Sequence, residues 1–212
     1  GATECFCMHS LRSNPIGWKK EMAEIVYLDS PHESEALYER LCPPVRQWFK
    51  DKFPDFTRPQ KLAIPAILEK EHLLLCSPTG SGKTLTAFLT VIDQLVRLAL
   101  EGKLEKKVHA IYISPIKALA NDIQRNLIGP LNEITEHYLP DRAQEIRVGL
   151  RTGDTSQSDR QKMLRKPPHI LITTPESLAI AITSPRFQPI VSEVEYMIID
   201  ELHSMVSTKR GV

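Results

Sequence analysis

The chain has 212 residues, with 27 Lys plus Arg against 26 Asp plus Glu and a formal charge of +1. That is enough chain for one ordinary domain, and too little net charge to steer the whole molecule to nucleic acid or to a membrane surface. Apolar residues make up 42% and charged residues 25%, a globular mixture, and no apolar run approaches the ~20 residues of a membrane span. Cys5, Cys7, Cys42 and Cys76 show no recurring pair spacing, which suggests neither a disulfide framework nor a zinc site and fits a reducing, cytoplasmic setting. Residues 1–20 hold no continuous apolar stretch of the secretory kind.

Residues 1–34 mix Cys, Ser, Asn, Pro and charge, and read as an N-terminal extension or packed arm with one short candidate strand at 24–28. Over 34–49, Leu37, Leu41, Val45 and Trp48 recur at helical spacing, and Pro43 and Pro44 predict a division into two short helices. Another helix is expected after Thr57, with Pro59 near its first turn and Leu62, Ala63, Ile64, Ile67 and Leu68 as its buried stripe. A strand at 72–76, a long helix at Lys83–Leu100 and a strand at 108–113 form a beta-alpha-beta unit. Helices at 117–127, 158–164 and 176–181 then alternate with strands at 146–150, 169–173 and 195–199. The short strands are mostly apolar rather than alternating, as expected when helices cover both faces of a sheet. The pattern predicts an α/β fold with an open, mostly parallel sheet and flanking helices.

The strongest local signal is Ser77-Pro78-Thr79-Gly80-Ser81-Gly82-Lys83-Thr84, between an apolar strand and a helix, the context that a phosphate-cradling loop requires. Ser77 stands where the strict pattern has Gly. Gly80 and Gly82 let successive amides wrap phosphate oxygens, with Thr79 and Ser81 in the same loop, and the following helix adds its electropositive start. Lys83 then reaches the β and γ phosphates, and Thr84 offers a hydroxyl to Mg2+. Met197-Ile198-Ile199-Asp200-Glu201 ends an apolar strand with two carboxylates. Opposite a phosphate loop, Asp200 is placed for Mg2+ and Glu201 for the attacking water. Taken alone, the pair reads equally as a solvated turn.

His203 is a candidate polar coupler or γ-phosphate contact, not a metal ligand, since it lacks a second His or Cys at metal-site spacing. Upstream, Phe56 and Gln60 offer a ring and an amide to a nucleobase. The amide supplies the donor and acceptor that adenine N6 and N7 need. Core packing is the plain alternative for Phe56.

The segments 56–60, 77–84, 114–120, 151–155, 173–178 and 200–203 stand in one order that resembles the first RecA-like motor domain of a superfamily 2 helicase of the DExH type. More narrowly, the chain resembles the Lhr (large helicase-related) family of archaea and bacteria, through Ile116-Lys117-Ala118-Leu119-Ala120, Thr152-Gly153-Asp154-Thr155, Thr174-Pro175-Glu176-Ser177-Leu178 and Lys209-Arg210-Gly211. The likeness makes 35–212 the ATP-binding domain. It implies that Gln60 reads adenine, that Lys83 and Thr84 hold triphosphate and Mg2+, and that Asp200 and Glu201 coordinate Mg2+ and activate water. His203 would couple the ATP site to the nucleic-acid track.

It further implies that Pro115, Lys117 and Ala118, then Gly153 and Asp154, then Thr174, Pro175 and Glu176 grip the backbone of one tracking strand. Physically, Lys117 can pair with one phosphate, and the Thr174 hydroxyl and the start of its helix offer donors to another. Phosphate contacts position a strand without reading its bases, so tracking is expected to be independent of sequence. The implied function is the N-terminal motor lobe of an ATP-dependent translocase and helicase on single-stranded or partly duplex DNA, moving 3′ to 5′ in repair or recombination. An RNA helicase lobe is the close alternative, because phosphate contacts discriminate poorly between the two. A non-hydrolysing ATP-binding regulatory module is another. No membrane partner is expected.

The chain ends eleven residues after Glu201, before the positions of the family's coupling motif, second RecA-like domain and C-terminal domains. A trans-domain Arg can be worth roughly 10^3 to 10^5 in rate in related enzymes. The 212 residues alone are therefore expected to bind nucleotide better than they hydrolyse it, and not to unwind.

Overall fold

The structure, a computed structural model, describes residues 3–10, 25–78, 81–115 and 122–201. Helices α1 (Ser34–Arg40) and α2 (Pro43–Lys52) divide at the prolines, which occupy the first turn of α2, where backbone amides need no intrahelical partner. Helix α3 (Arg58–Leu68) starts at Thr57, and Gln60 returns its side-chain oxygen to the Thr57 amide at 2.8 Å, one half of a capping box. Helix α4 (Lys83–Leu100) buries Phe88, Leu89, Ile92 and Val96. It is apolar almost all round because it lies between the sheet and the layer of α2 and α3.

The sheet comprises β1 (Thr3–Ser10), β2 (Leu73–Pro78), β3 (Ala110–Ile113), β4 (Val148–Arg151), β5 (Ile170–Thr173) and β6 (Tyr196–Ile199), in the order β2-β1-β6-β3-β5-β4. The pairs β3–β5, β3–β6 and β4–β5 are parallel, whereas β1 is antiparallel to both β2 and β6. Hence β2 runs in the same sense as β6, and five strands deliver their following loops to one edge. Successive side chains alternate between faces: Ala110 and Tyr112 join the large core under α4, while Ile111 and Ile113 join a second core with Leu171, Phe187 and Val194. Both faces are covered, which is why these strands lack polar alternation. The expected α/β architecture with a mostly parallel sheet is present.

Between the strands, a π-helical stretch (Gln124–Ile128) runs into α5 (Gly129–His137), and α6 (Gln157–Arg165), α7 (Pro175–Thr183) and α8 (Gln188–Val191) follow. Residues 116–121, the start of the helix expected at 117–127, lie outside the described residues. The helical stretch runs past the expected end at 127, because Pro130 sits in the first turn of α5, where its missing amide costs nothing. Among the described residues, no helix is long and apolar enough to cross a membrane.

Two findings correct the reading of the N-terminal arm and the cysteines. Thr3–Ser10 is a strand inside the sheet, while residues 25–28 of the candidate strand are exposed and outside it. Cys5 stands opposite Cys76 in the β1–β2 register, and the two are joined by a disulfide. The pair has no signature in local spacing, because its partners come from strands 71 residues apart.

Candidate nucleotide site and nucleic-acid track

Strand β2 brings Ser77 and Pro78 to the shared edge, and the chain enters α4 through Ser81 and Gly82. Thr79 and Gly80 lie outside the described residues. Gly82 has φ +83°, in the left-handed region, and a Cβ there would lie 3.0 Å from Gln60 Nε2. The backbone angle favours glycine, and a Cβ would in addition require the Gln60 side chain to give way. The Ser77 and Ser81 hydroxyls are 2.5 Å apart, so the serine at the position of the missing glycine closes the base of the loop. The Thr57 hydroxyl donates to the Ser81 carbonyl oxygen at 3.0 Å. Lys83 is the first residue of α4 and is 4% exposed, with Thr84 next to it and half-buried.

Asp200 follows β6 and is 4% exposed. Its amide donates to the Ile113 carbonyl at 2.9 Å. Its Oδ1 accepts from the Glu201 amide at 2.9 Å, and its Oδ2 accepts from the Tyr112 hydroxyl. Burial and the neighbouring carboxylate push the Tyr112 phenol up, so it remains a donor. Glu201 has φ +54°, a left-handed conformation that a non-glycine residue holds only when its surroundings impose it. Strand β1 lies between β2 and β6, so two strand spacings, about 10 Å, separate the strand feeding the phosphate loop from the strand ending in the acids.

The donor set fits Mg2+. Thr84 and Asp200 supply hard oxygens, and no group of three or more His, Cys, Asp or Glu arranged for a metal occurs among the described residues. Mg2+ is usually held by one or two carboxylates with water and substrate phosphates completing its octahedron, rather than by an all-protein cage. One buried carboxylate at the end of β6, on the sheet edge where β2 also ends, is compatible with that kind of site.

Gln60 is 3% exposed; its oxygen caps α3 and its nitrogen lies against Gly82. Phe56 is 4% exposed and stacks on Phe49 with centroids 4.2 Å apart, beside Tyr38. It is a core residue that anchors the start of α3, not an exposed platform for a base.

The candidate track residues follow β3, β4 and β5 at the same edge. Pro115 is partly exposed; Lys117 and Ala118, like His203, lie outside the described residues. Gly153 and Asp154 are exposed in the turn after β4, and Arg160 of α6 donates to the Gly153 carbonyl at 3.1 Å. Thr174 is 2% exposed and caps α7 by accepting from the Ser177 amide at 3.3 Å, so its hydroxyl oxygen already serves the helix. Pro175 and the exposed Glu176 form the first turn. Thr57 and Tyr112 also border the candidate site, through their hydrogen bonds to Ser81 and Asp200. The capping-box spacing of Thr57 to Gln60 was the available signal for the first, and Tyr112 gave none.

A phosphate loop and an acidic pair on one edge of a mostly parallel sheet define a phosphate-loop nucleotide-binding lobe. The DEAD/DEAH box helicase family matches residues 57–212. The chain is 51% identical over 193 residues to the ATP-dependent helicase Lhr-Core of Methanocaldococcus jannaschii, a match covering 90% of this chain and 23% of that protein. It is 44% identical over 191 residues to the Lhr helicase/uracil glycosylase of Escherichia coli, covering 86% and 12%. Among solved structures it is similar to Mycobacterium smegmatis helicase Lhr bound to ssDNA and AMP-PNP, with TM-score 0.67, 40% identity, and coverage of 81% and 22%. The chain belongs to the DEAD/DEAH box helicases of superfamily 2, in their Lhr family. It spans less than a quarter of the length of these relatives.

Proposed function

We propose that the chain is the N-terminal motor lobe of an ATP-dependent helicase that tracks along single-stranded DNA. The observation that carries this is the common sheet edge: the phosphate loop, the acidic pair and the three candidate strand-contact loops all leave it. The described complex of the Mycobacterium smegmatis relative with ssDNA and AMP-PNP supports both ligand classes.

In this reading the ammonium of Lys83 neutralises the β and γ phosphates, and Thr84 and Asp200 hold Mg2+. Bound there, the ion would polarise the phosphoryl oxygens. The Glu201 carboxylate takes the proton of the attacking water. Pro115, Lys117 and Ala118, Gly153 and Asp154, and Thr174, Pro175 and Glu176 line the path of the sugar-phosphate backbone, and His203 couples that path to the nucleotide. The rest of the enzyme supplies a second RecA-like domain and C-terminal domains. Closure of the two lobes around ATP drives stepping.

The test is ATPase turnover of the complete enzyme with DNA and RNA strands of matched sequence, beside Glu201→Gln. Stronger stimulation by DNA, and loss of turnover with retained ATP binding in the variant, are expected. Equal or greater stimulation by RNA would overturn the DNA assignment. Turnover retained by Glu201→Gln would remove its role as base.

A further inference from the structure

Tyr112 sits on β3, which carries none of the nucleotide motifs, and it is 2% exposed. A buried tyrosine in an apolar strand is retained where its hydroxyl has a partner, and here the partner is Asp200 Oδ2. The other carboxylate oxygen takes the Glu201 amide at 2.9 Å, and the Asp200 amide is tied to the Ile113 carbonyl at 2.9 Å. The Tyr112 ring lies on Phe88 of α4, with centroids 4.8 Å apart. One side chain thus joins the helix that opens with Lys83 and Thr84 to the carboxylate at the end of β6. A carboxylate has about four lone-pair sites. With one protein donor on each oxygen, the sites that remain are fixed in direction.

We propose that Tyr112 is a positioning residue for Asp200, its hydroxyl holding the carboxylate in the orientation that Mg2+ requires when Mg-nucleotide binds. The proposal rests on the reading of Asp200 as the Mg2+ ligand. Partners that orient a metal ligand typically contribute 10- to 100-fold in metal affinity. Tyr112→Phe removes one oxygen and keeps the ring on Phe88.

The experiment follows binding of a fluorescent ADP analogue to the 212-residue chain as Mg2+ is titrated. The variants are Tyr112→Phe, Asp200→Asn and, as a matched loss of a buried phenol at the opposite end of β6 from the acids, Tyr196→Phe, whose hydroxyl bonds Gln94. Tyr112→Phe is expected to raise the half-saturating Mg2+ concentration roughly tenfold, with binding recovered at high Mg2+. Tyr196→Phe should titrate like the unaltered chain, and Asp200→Asn should lose the Mg2+ dependence. Native-like titration by Tyr112→Phe beside a lost dependence in Asp200→Asn overturns the role of Tyr112 alone. A deficit that Mg2+ does not rescue also overturns it, by showing a structural effect. Native-like titration by Asp200→Asn, or no nucleotide binding by the unaltered chain, overturns the reading of the site beneath it. If Tyr112→Phe does not fold, 3-fluorotyrosine at position 112 keeps the ring and strengthens the donor. A lowered half-saturation then supports the proposal and an unchanged one overturns it.

Discussion

The Thr57 hydroxyl donates to the Ser81 carbonyl oxygen at 3.0 Å, tying the segment ahead of α3 to the phosphate loop across 24 residues. A neutral hydrogen bond of this kind contributes about 1 kcal/mol net, or about fivefold in affinity. Thr57→Val should therefore weaken Mg-ADP binding about fivefold in calorimetric titration. Unchanged affinity would show that the loop holds its shape without this tie.

Gly82 should tolerate no side chain. Placing an L-residue at φ +83° costs about 1–2 kcal/mol, and the new Cβ would press on Gln60 Nε2 from 3.0 Å. Gly82→Ala is expected to lower unfolding free energy by about 1–2 kcal/mol in urea and to weaken nucleotide binding more than Thr57→Val does. An equally stable variant that binds normally would refute the proposed steric role.

Stability should fall with acid in two stages. Burial, aided by Arg147 and His109, lowers the His169 pKa from 6.5 to about 4. The folded state thus disfavours the proton, and this contribution is complete above 6.5 and lost as pH falls toward 4. The hydrogen bond from His109, with Gln94 and Lys70, holds Glu195 at about 2 against the opposing effect of burial. Its contribution is present above the ordinary carboxylate pKa of about 4.5 and is lost as pH falls toward 2. Urea midpoints between pH 7 and 4 should drop for the unaltered chain and stay flatter for His169→Gln.

Reduction should destabilise the oxidised chain. Cross-linking residues 71 apart restricts the unfolded chain by roughly 4 kcal/mol in the chain-entropy model, which corresponds to roughly 10 °C in melting temperature. Thermal melts with and without a thiol reductant measure the difference, and Cys5→Ser should abolish it. Identical melts of the unaltered chain in both conditions would show that the cross-link adds no stability.

What could be read from the sequence was local. Lys83–Leu100 was expected and found over the same residues, because a glycine N-cap and a dense apolar pattern mark it within one stretch. The candidate phosphate loop and the Asp200-Glu201 pair stand out as motifs for the same reason, each lying within one stretch of sequence. Strand β1 was not: Thr3–Ser10 mixes polar and apolar residues, and its pairing depends on β2 and β6, which are distant in the chain. The hydrogen bonds from Thr57 to Ser81 and from Tyr112 to Asp200 join separate motifs, so neither shows in any one of them. Phe56 had two readings that only its surroundings could separate, and Phe49 and Tyr38 place it in the core.

Strand β1 also sets an order of assembly. Cys7 near the beginning of the chain pairs in register with Ile199 near its far end, and β2 reaches the other strands through β1. During synthesis β1 is made before β6, and it cannot complete its pairing until β6 has been made. The earlier-made βαβ segments can gather around α4 meanwhile, but the two halves of the candidate nucleotide site come into register only when β6 arrives. Contacts so far apart in sequence make this closing step slow relative to local helix formation. An emerging chain would thus gain its helical layer well before it could grip a nucleotide.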